Sequence, residues 1–352
     1  WTSSTSRIAG ESGGRDRTVV GSMSLDLTLR LVEQVTPIAA GTSVSVPIDG
    51  PEDLALVQRW VDTTGNTILM VHPESVEVFR GRIRDPIEAL SPNRRPSFRL
   101  WIYTNFHCNL ACDYCCVESS PRARPRIIDL ESFSRIVDEA VTAGVSELFL
   151  TGGEPFMLLD LHERLRVAAT AMPTTVLTNA MLWSGERLRL LEELPRDGLT
   201  LQISLDSASP ELHDRHRGTG SFARAFAGIR LAMDLGFRVR VAATLGADAA
   251  SSESDLEALF DELGLDRSQR IVRRIARQGA ANAGLTVSRA SLVPEVCVTA
   301  EGVWWHPVAA IDPAMKVSSE FSPLGEVIDG IRQEYRTHRI SSDVLASTFP
   351  CG

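Results

Sequence analysis

Over residues 98 to 275 the chain repeats one pattern: a short apolar run of strand length, a loop, then a longer stretch with apolar residues at helical spacing. Strand-like runs stand at 98–104, 148–150, 175–177, 199–205, 238–243 and 271–275. The first helical pattern starts at Asp129, an N-cap residue type, and places Phe133, Ile136, Val137, Ala140 and Val141 on one face. Others run over 161–169, 186–194, 222–235 and 254–263. Parallel neighbours need a long crossover, which is usually a helix, so strict alternation predicts a parallel sheet. Six such units predict an α/β fold, a partial (β/α)6 TIM-like barrel over 98–280, with chemistry on the loops at the strands' C-terminal ends.

Two of those loops carry motifs. Cys108-Asn109-Leu110-Ala111-Cys112-Asp113-Tyr114-Cys115 follows the first strand, and Thr151-Gly152-Gly153-Glu154-Pro155 follows the second. Four of the six cysteines fall at 108, 112, 115 and 116, a metal pattern rather than a disulfide framework. Three thiols in one loop can converge on one metal centre. Iron–sulfur clusters normally take four thiolates, so a set of three leaves one iron open to an outside ligand. The alternative is a zinc-stabilised interaction module with Cys116 as fourth ligand, which would require adjacent Cys115 and Cys116 to bend onto one ion. Cys116 fits better as a small buried residue.

The motif pair resembles the radical S-adenosylmethionine (radical SAM) enzymes, over roughly residues 98 to 280. The resemblance implies that Cys108, Cys112 and Cys115 hold one [4Fe-4S] cluster whose open iron chelates the amino and carboxylate groups of SAM. It also implies reductive cleavage of SAM to a 5′-deoxyadenosyl radical that abstracts hydrogen from substrate, with an external one-electron donor such as ferredoxin or flavodoxin. By the same resemblance Tyr114 packs against adenine, Gly152 and Gly153 admit the methionine end of SAM close to the main chain, and Glu154 takes its ammonium. Asn179, Ser204 and Asp206 correspond to contacts with ribose and carboxylate, and Arg217 to an arginine that meets the carboxylate. Each has a plainer alternative: a ring covering the cluster, turn residues chosen for backbone reasons, a solvated arginine.

Residues 1–22 are rich in Ser, Thr, Gly and Arg and predict a disordered tail or a cloning remnant. Residues 23–83 read α-β-α-β-β, a small two-layer α/β domain similar to the TusA-like sulfurtransferase module. No cysteine precedes Cys108, so a scaffold role, or docking of a peptide or protein partner, fits this domain better than sulfur transfer. Residues 84–97, with Pro86, Pro92 and Pro96, predict a linker. Residues 281–352 resemble a reduced SPASM or twitch C-terminal cap. Cys297, Cys351 and His306 remain there, too few for a second conventional cluster. They are candidates for hydrogen-atom donation or acid–base work, with packing as the alternative for Cys297. Arg273, Arg274 and Arg277 gather in sequence near the last strand's end and predict a site for an anionic group of the substrate.

A formal charge of −9 argues against a nucleic-acid or anionic-membrane footprint. No apolar run reaches the length of a membrane span, and the first 22 residues lack the apolar region of a signal peptide. A cytoplasmic setting is expected. The expected substrate is a small, anionic biosynthetic metabolite, and the alternative is a ribosomally made peptide.

Overall fold

The computed structural model describes residues 19–81, 85–88, 90–246 and 253–348, with side chains from 27 to 339 within those ranges. The chain divides into two units. One runs up to Asp85 and takes in residues from Ile340, and the other is Pro86–Arg339.

The first unit follows the expected order: α1 (Val19–Val35), β1 (Ser43–Pro47), α2 (Pro51–Thr64), β2 (Thr67–His72) and β3 (Ser75–Phe79). Its sheet is antiparallel in the order β1-β3-β2. Leu27, Leu31 and Val35, four residues apart on α1, pack with Val57 and Val61 of α2 and with Val46, Val76 and Val78 of the sheet. The expected tail is shortened at its inner end, because α1 already includes residues 19–22. Residues 1–18 lie outside the described residues.

In the second unit six strands run parallel and in sequence order: β4 (Arg99–Tyr103), β5 (Glu147–Thr151), β6 (Thr174–Thr178), β7 (Leu199–Ser204), β8 (Arg238–Leu245) and β9 (Arg270–Arg274). The crossovers are α3 (Leu130–Thr142), α4 (Leu161–Ala171), α5 (Gly185–Glu192), the pair α6 (Pro210–Arg217) and α7 (Ser221–Asp234), and α8 (Glu253–Glu262). α3 buries the predicted face, Phe133, Ile136, Val137 and Ala140, and Asp129 caps it by accepting from Ser132 N at 2.8 Å. This is the expected partial barrel. It ends on a strand, since β9 leads into irregular chain instead of a sixth helix.

The C-terminal residues also differ from a separate cap. β10 (Cys297–Thr299), β11 (Gly302–Trp304) and β12 (Lys316–Ser318) continue the same sheet, with β10 lying parallel to β4 through Cys297↔Trp101 and Val298↔Ile102. The last helix is α9 (Leu324–Thr348). The linker is shorter than expected, because Ile87 is buried in the second unit's core. Among the described residues no helix is long and apolar enough to cross a membrane.

Candidate functional site

Both motif loops stand at C-terminal strand ends, after β4 and β5, and their main chains touch. A Cβ on Gly152 would lie 2.1 Å from Asn105 Oδ1, and one on Gly153 would lie 2.1 Å from His107 O. Gly153 N donates to Asn105 O at 3.1 Å and Glu154 N to His107 O at 3.0 Å. The two glycines are therefore required by the approach of the cysteine loop itself, a reason the sequence did not disclose.

Glu154 ties this pair of loops to a third. Its carboxylate accepts from Phe156 N at 3.0 Å, Thr178 Oγ1 at 2.8 Å and Asn179 N at 2.8 Å. Burial pushes its pKa up to about 7, against the lowering effect of those donors. Asn179 Nδ2 in turn donates to Asn109 Oδ1 at 2.8 Å, which brings the β6 loop onto the cysteine loop.

The donor set suits an iron–sulfur cluster. Burial pushes the Cys108 thiol up to about 12 and the Cys112 thiol up to about 11; the neighbouring Cys112 and Cys115 add to the rise at Cys108, and Cys115 adds to that at Cys112. Thiolates in this setting need a cationic centre to balance them. Main-chain N–H groups already point at two of the sulfurs: Leu110 N lies 3.4 Å from Cys108 Sγ, and Ser119 N lies 3.3 Å from Cys115 Sγ. Such donors tune metal-bound sulfur. Among the described residues no three His, Cys, Asp or Glu side chains are gathered tightly enough for a single ion. A cluster spreads its thiolates over several irons, so it accepts a wider set.

Asp206, just past β7, is the second organiser. It accepts from Arg217 Nε at 2.5 Å and Nη2 at 3.2 Å, from Thr244 N at 2.9 Å and from the Tyr114 hydroxyl. Burial pushes its pKa upward, but Arg217 and the other donors outweigh that and hold the carboxyl below its usual value. The Arg217 guanidinium stands 5.6 Å from the centre of the Tyr114 ring. Arg217 is thus neither a solvated loop residue nor a free cation. One residue before it, His216 accepts Asp113 N at its carbonyl, 3.2 Å away, and pairs its ring Nδ1 with Asp113 at 2.9 Å. The end of α6 therefore grips the cysteine loop at Asp113 and Tyr114.

His213 completes the α6 face. It is 1% exposed, its Nδ1 accepts from Asp206 N at 3.2 Å, and burial depresses its pKa to about 4. The folded chain keeps this imidazole neutral while the unfolded chain protonates it near 6.5. Its contribution to stability is therefore present above 6.5 and lost as pH falls towards 4, at most about 3 kcal/mol. In urea titrations of wild type and His213→Asn, the stability lead of wild type is expected to shrink by that order between pH 7 and 4. A lead independent of pH would refute the buried neutral state.

The remaining candidates scatter. Ser204 is half-buried in register with Ala242. The three arginines do not converge: Arg274 turns to α8 and pairs with Glu253 at 3.3 Å, and Arg277 donates to Thr286 Oγ1 at 2.9 Å. Arg273 is exposed and stands near enough to Cys116, His306 and Arg240 to act on all three. The expected three-arginine site does not assemble: Arg273 and Arg274 are neighbours in one strand and point to opposite faces, and Arg277 lies past the strand, on Thr286. His306 is the N-cap of a short turn, its Nδ1 accepting from Val308 N at 3.2 Å, and burial holds its imidazole below the usual value. Cys297 is fully buried in the core, and Cys351 lies outside the described residues. A cavity of about 500 Å³ opens at the strands' N-terminal ends, lined by Glu147, Thr174, Thr200, Arg238 and Arg240. It lies at the far end of the strands from the cysteine loop.

Comparison with known proteins decides between the cluster and zinc. Residues 102–263 match the family model of the Radical SAM superfamily. Residues 102–263 are a radical SAM domain. That family binds a [4Fe-4S] cluster and SAM. The chain is 39% identical over 137 residues to the antilisterial bacteriocin subtilosin biosynthesis protein AlbA of Bacillus subtilis, covering 38% of this chain and 30% of AlbA. It is 38% identical over 122 residues to the PqqA peptide cyclase of Ruegeria pomeroyi, covering 34% and 32%. An AdoMet-dependent heme synthase of Oleidesulfovibrio alaskensis is 30% identical over 173 residues, covering 48% and 44%. The radical SAM match thus spans less than half of each of these relatives. Native anSMEcpe with bound AdoMet shares the fold, with a TM-score of 0.53 at 14% identity over 67% of this chain and 82% of that one.

Proposed function

We propose that the protein is a radical SAM enzyme that cleaves SAM reductively and removes a hydrogen atom from a substrate held at the C-terminal mouth of the barrel. The observation that carries this is the convergence of the cysteine loop, the Gly152-Gly153-Glu154 loop and the Asp206–Arg217 pair at one end of the sheet. Cys108, Cys112 and Cys115 would hold the cluster, which when bound with SAM supplies one-electron chemistry no side chain offers. The chain's own part is to fix the cysteine loop through Asn179, Asp206, Arg217 and His216, and to exclude water by packing Tyr114 over it. After anaerobic loading with iron and sulfide, the protein is expected to turn brown and to release 5′-deoxyadenosine from SAM and dithionite. A colourless, zinc-loaded protein that releases none would defeat the proposal.

A small, anionic substrate is supported by Arg273, an exposed cation near enough to Cys116 to act on it. A peptide substrate has a separate observation in its favour. β2 is one of the two outer strands of the first unit's sheet, and Leu69, Met70 and Val71 on it are 51–54% exposed, an edge that an extended peptide can join. Two of the relatives are named for peptide products or substrates. Hydrogen exchange separates the two: a precursor peptide that protects residues 67–72 favours the peptide, and substrate affinity lost in Arg273→Ala favours the anion.

A further inference from the structure

The chain that follows β9 folds back on itself. Arg277 N donates to Leu285 O and Leu285 N to Ile275 O, each at 2.9 Å. Its tip lies against the cysteine loop. Ala280 N donates to Cys115 O at 2.9 Å. A Cβ on Gly279 would lie 2.4 Å from that oxygen and 2.6 Å from the Cys116 carbonyl carbon, and Gly279 has φ +58°. Both the positive φ and the lack of room demand glycine. The next side chain back, Gln278, donates from Nε2 to Asp312 Oδ2 at 3.1 Å. Asp312 is itself fixed, its other oxygen accepting from Ala314 N at 3.0 Å.

We infer that residues 276–285 form a strap that sets the position of Cys115, with Gly279 and Ala280 pressing on the cysteine loop and Gln278–Asp312 anchoring the strap to the C-terminal region. This rests on the proposed role of Cys115 as a cluster ligand. The Cys115 carbonyl also receives Glu118 N at 3.2 Å, and Cys115 Sγ receives Ser119 N at 3.3 Å. A shift of the Cys115 main chain therefore moves the sulfur and its N–H donor together. The C-terminal region thereby contributes to the cluster through contacts with the loop that carries it, and Gly279 acts as a positioning residue.

The test uses the full chain, loaded anaerobically with iron and sulfide, as wild type, Gly279→Ala and Gln278→Ala. Three quantities are read: iron bound per chain, the rate of iron loss to a chelator, and the thermal unfolding of the unloaded chain. Contacts one step removed from metal ligands are worth about 10- to 100-fold in metal affinity. Gly279→Ala is expected to release iron at least ~10-fold faster and, because the added Cβ meets main chain, to unfold below wild type when unloaded, whereas Gln278→Ala is expected to release iron a few-fold faster while its unloaded chain unfolds close to wild type. Wild-type release rates in both variants overturn the strap. Should Gly279→Ala fail to fold, Gln278→Ala alone decides, because it removes one half-buried contact and adds no atom. If wild type itself takes up no cluster, the reading of Cys115 as a ligand falls and the strap with it. Normal loading with unaltered release in the variants overturns the strap alone.

Discussion

Cys112→Ala is expected to yield a folded chain that binds less iron after reconstitution and releases no 5′-deoxyadenosine above background, whereas Cys116→Ala keeps both. The two residues lie four apart in one loop and share half-buried surroundings, so burial alone would not separate them. What separates them is where their thiols stand. Cys112 influences Cys108 and lies beside Arg217 and Asp206, at the grip of α6 on the loop. Cys116 stands instead against Tyr103 and near Cys297, below the loop and towards β4 and β10. Removing a contact beside a metal ligand costs about 10- to 100-fold, so removing the ligand should cost more than ~100-fold in SAM cleavage. Folding should be affected little, by about 1 kcal/mol, because a small thiol leaves a small void. Iron content, product release and circular dichroism on the same preparations check this. The equality of the two variants in product release would remove Cys112 from the ligand set.

Much of the fold was legible because parallel strands buried on both faces read as apolar runs, and because α3 shows both its cap and its stripe. α6 was not. It is Pro-Glu-Leu-His-Asp-Arg-His-Arg, its one buried residue is His213, and no apolar stripe marks it. Its start was nonetheless written in Ser209-Pro210, a cap residue followed by proline at the first helical position, with Ser209 accepting from Leu212 N. The missing helix is the one that holds Asp113 and carries Arg217, so the motifs were found without the element that braces them. The arginines fail for a different reason: 273 and 274 are adjacent in a strand, and the alternation of side chains alone forbids their convergence. The strap was invisible because a glycine's need for space depends on a loop more than 160 residues away, and nothing local to Gly279 announces it.

Asp206→Ala is expected to be the most destabilising single change at the site. Asp206 is 5% exposed and the Arg217 side chain 11%, so alanine leaves a guanidinium withdrawn from water with no counter-charge. Breaking one side of such a pair costs about 3–5 kcal/mol, a large share of the 5–15 kcal/mol typical of a domain. Thermal unfolding of the unloaded chain should fall by roughly 10 °C. Thr244 N and the Tyr114 hydroxyl lose their acceptor in the same step, which adds to the cost and frees the ring over the cysteine loop. The second variant decides what the pair is for. Replacing both partners by apolar residues of similar volume, Asp206→Leu with Arg217→Met, removes the stranded charge and should recover most of the lost stability. It does not restore the grip on Tyr114, so SAM affinity of the reconstituted double variant should stay weak while its unfolding temperature recovers. Recovery of both would make the pair a stability element alone, and an Asp206→Ala chain that unfolds within a degree of wild type would mean that Arg217 has water or another partner in solution.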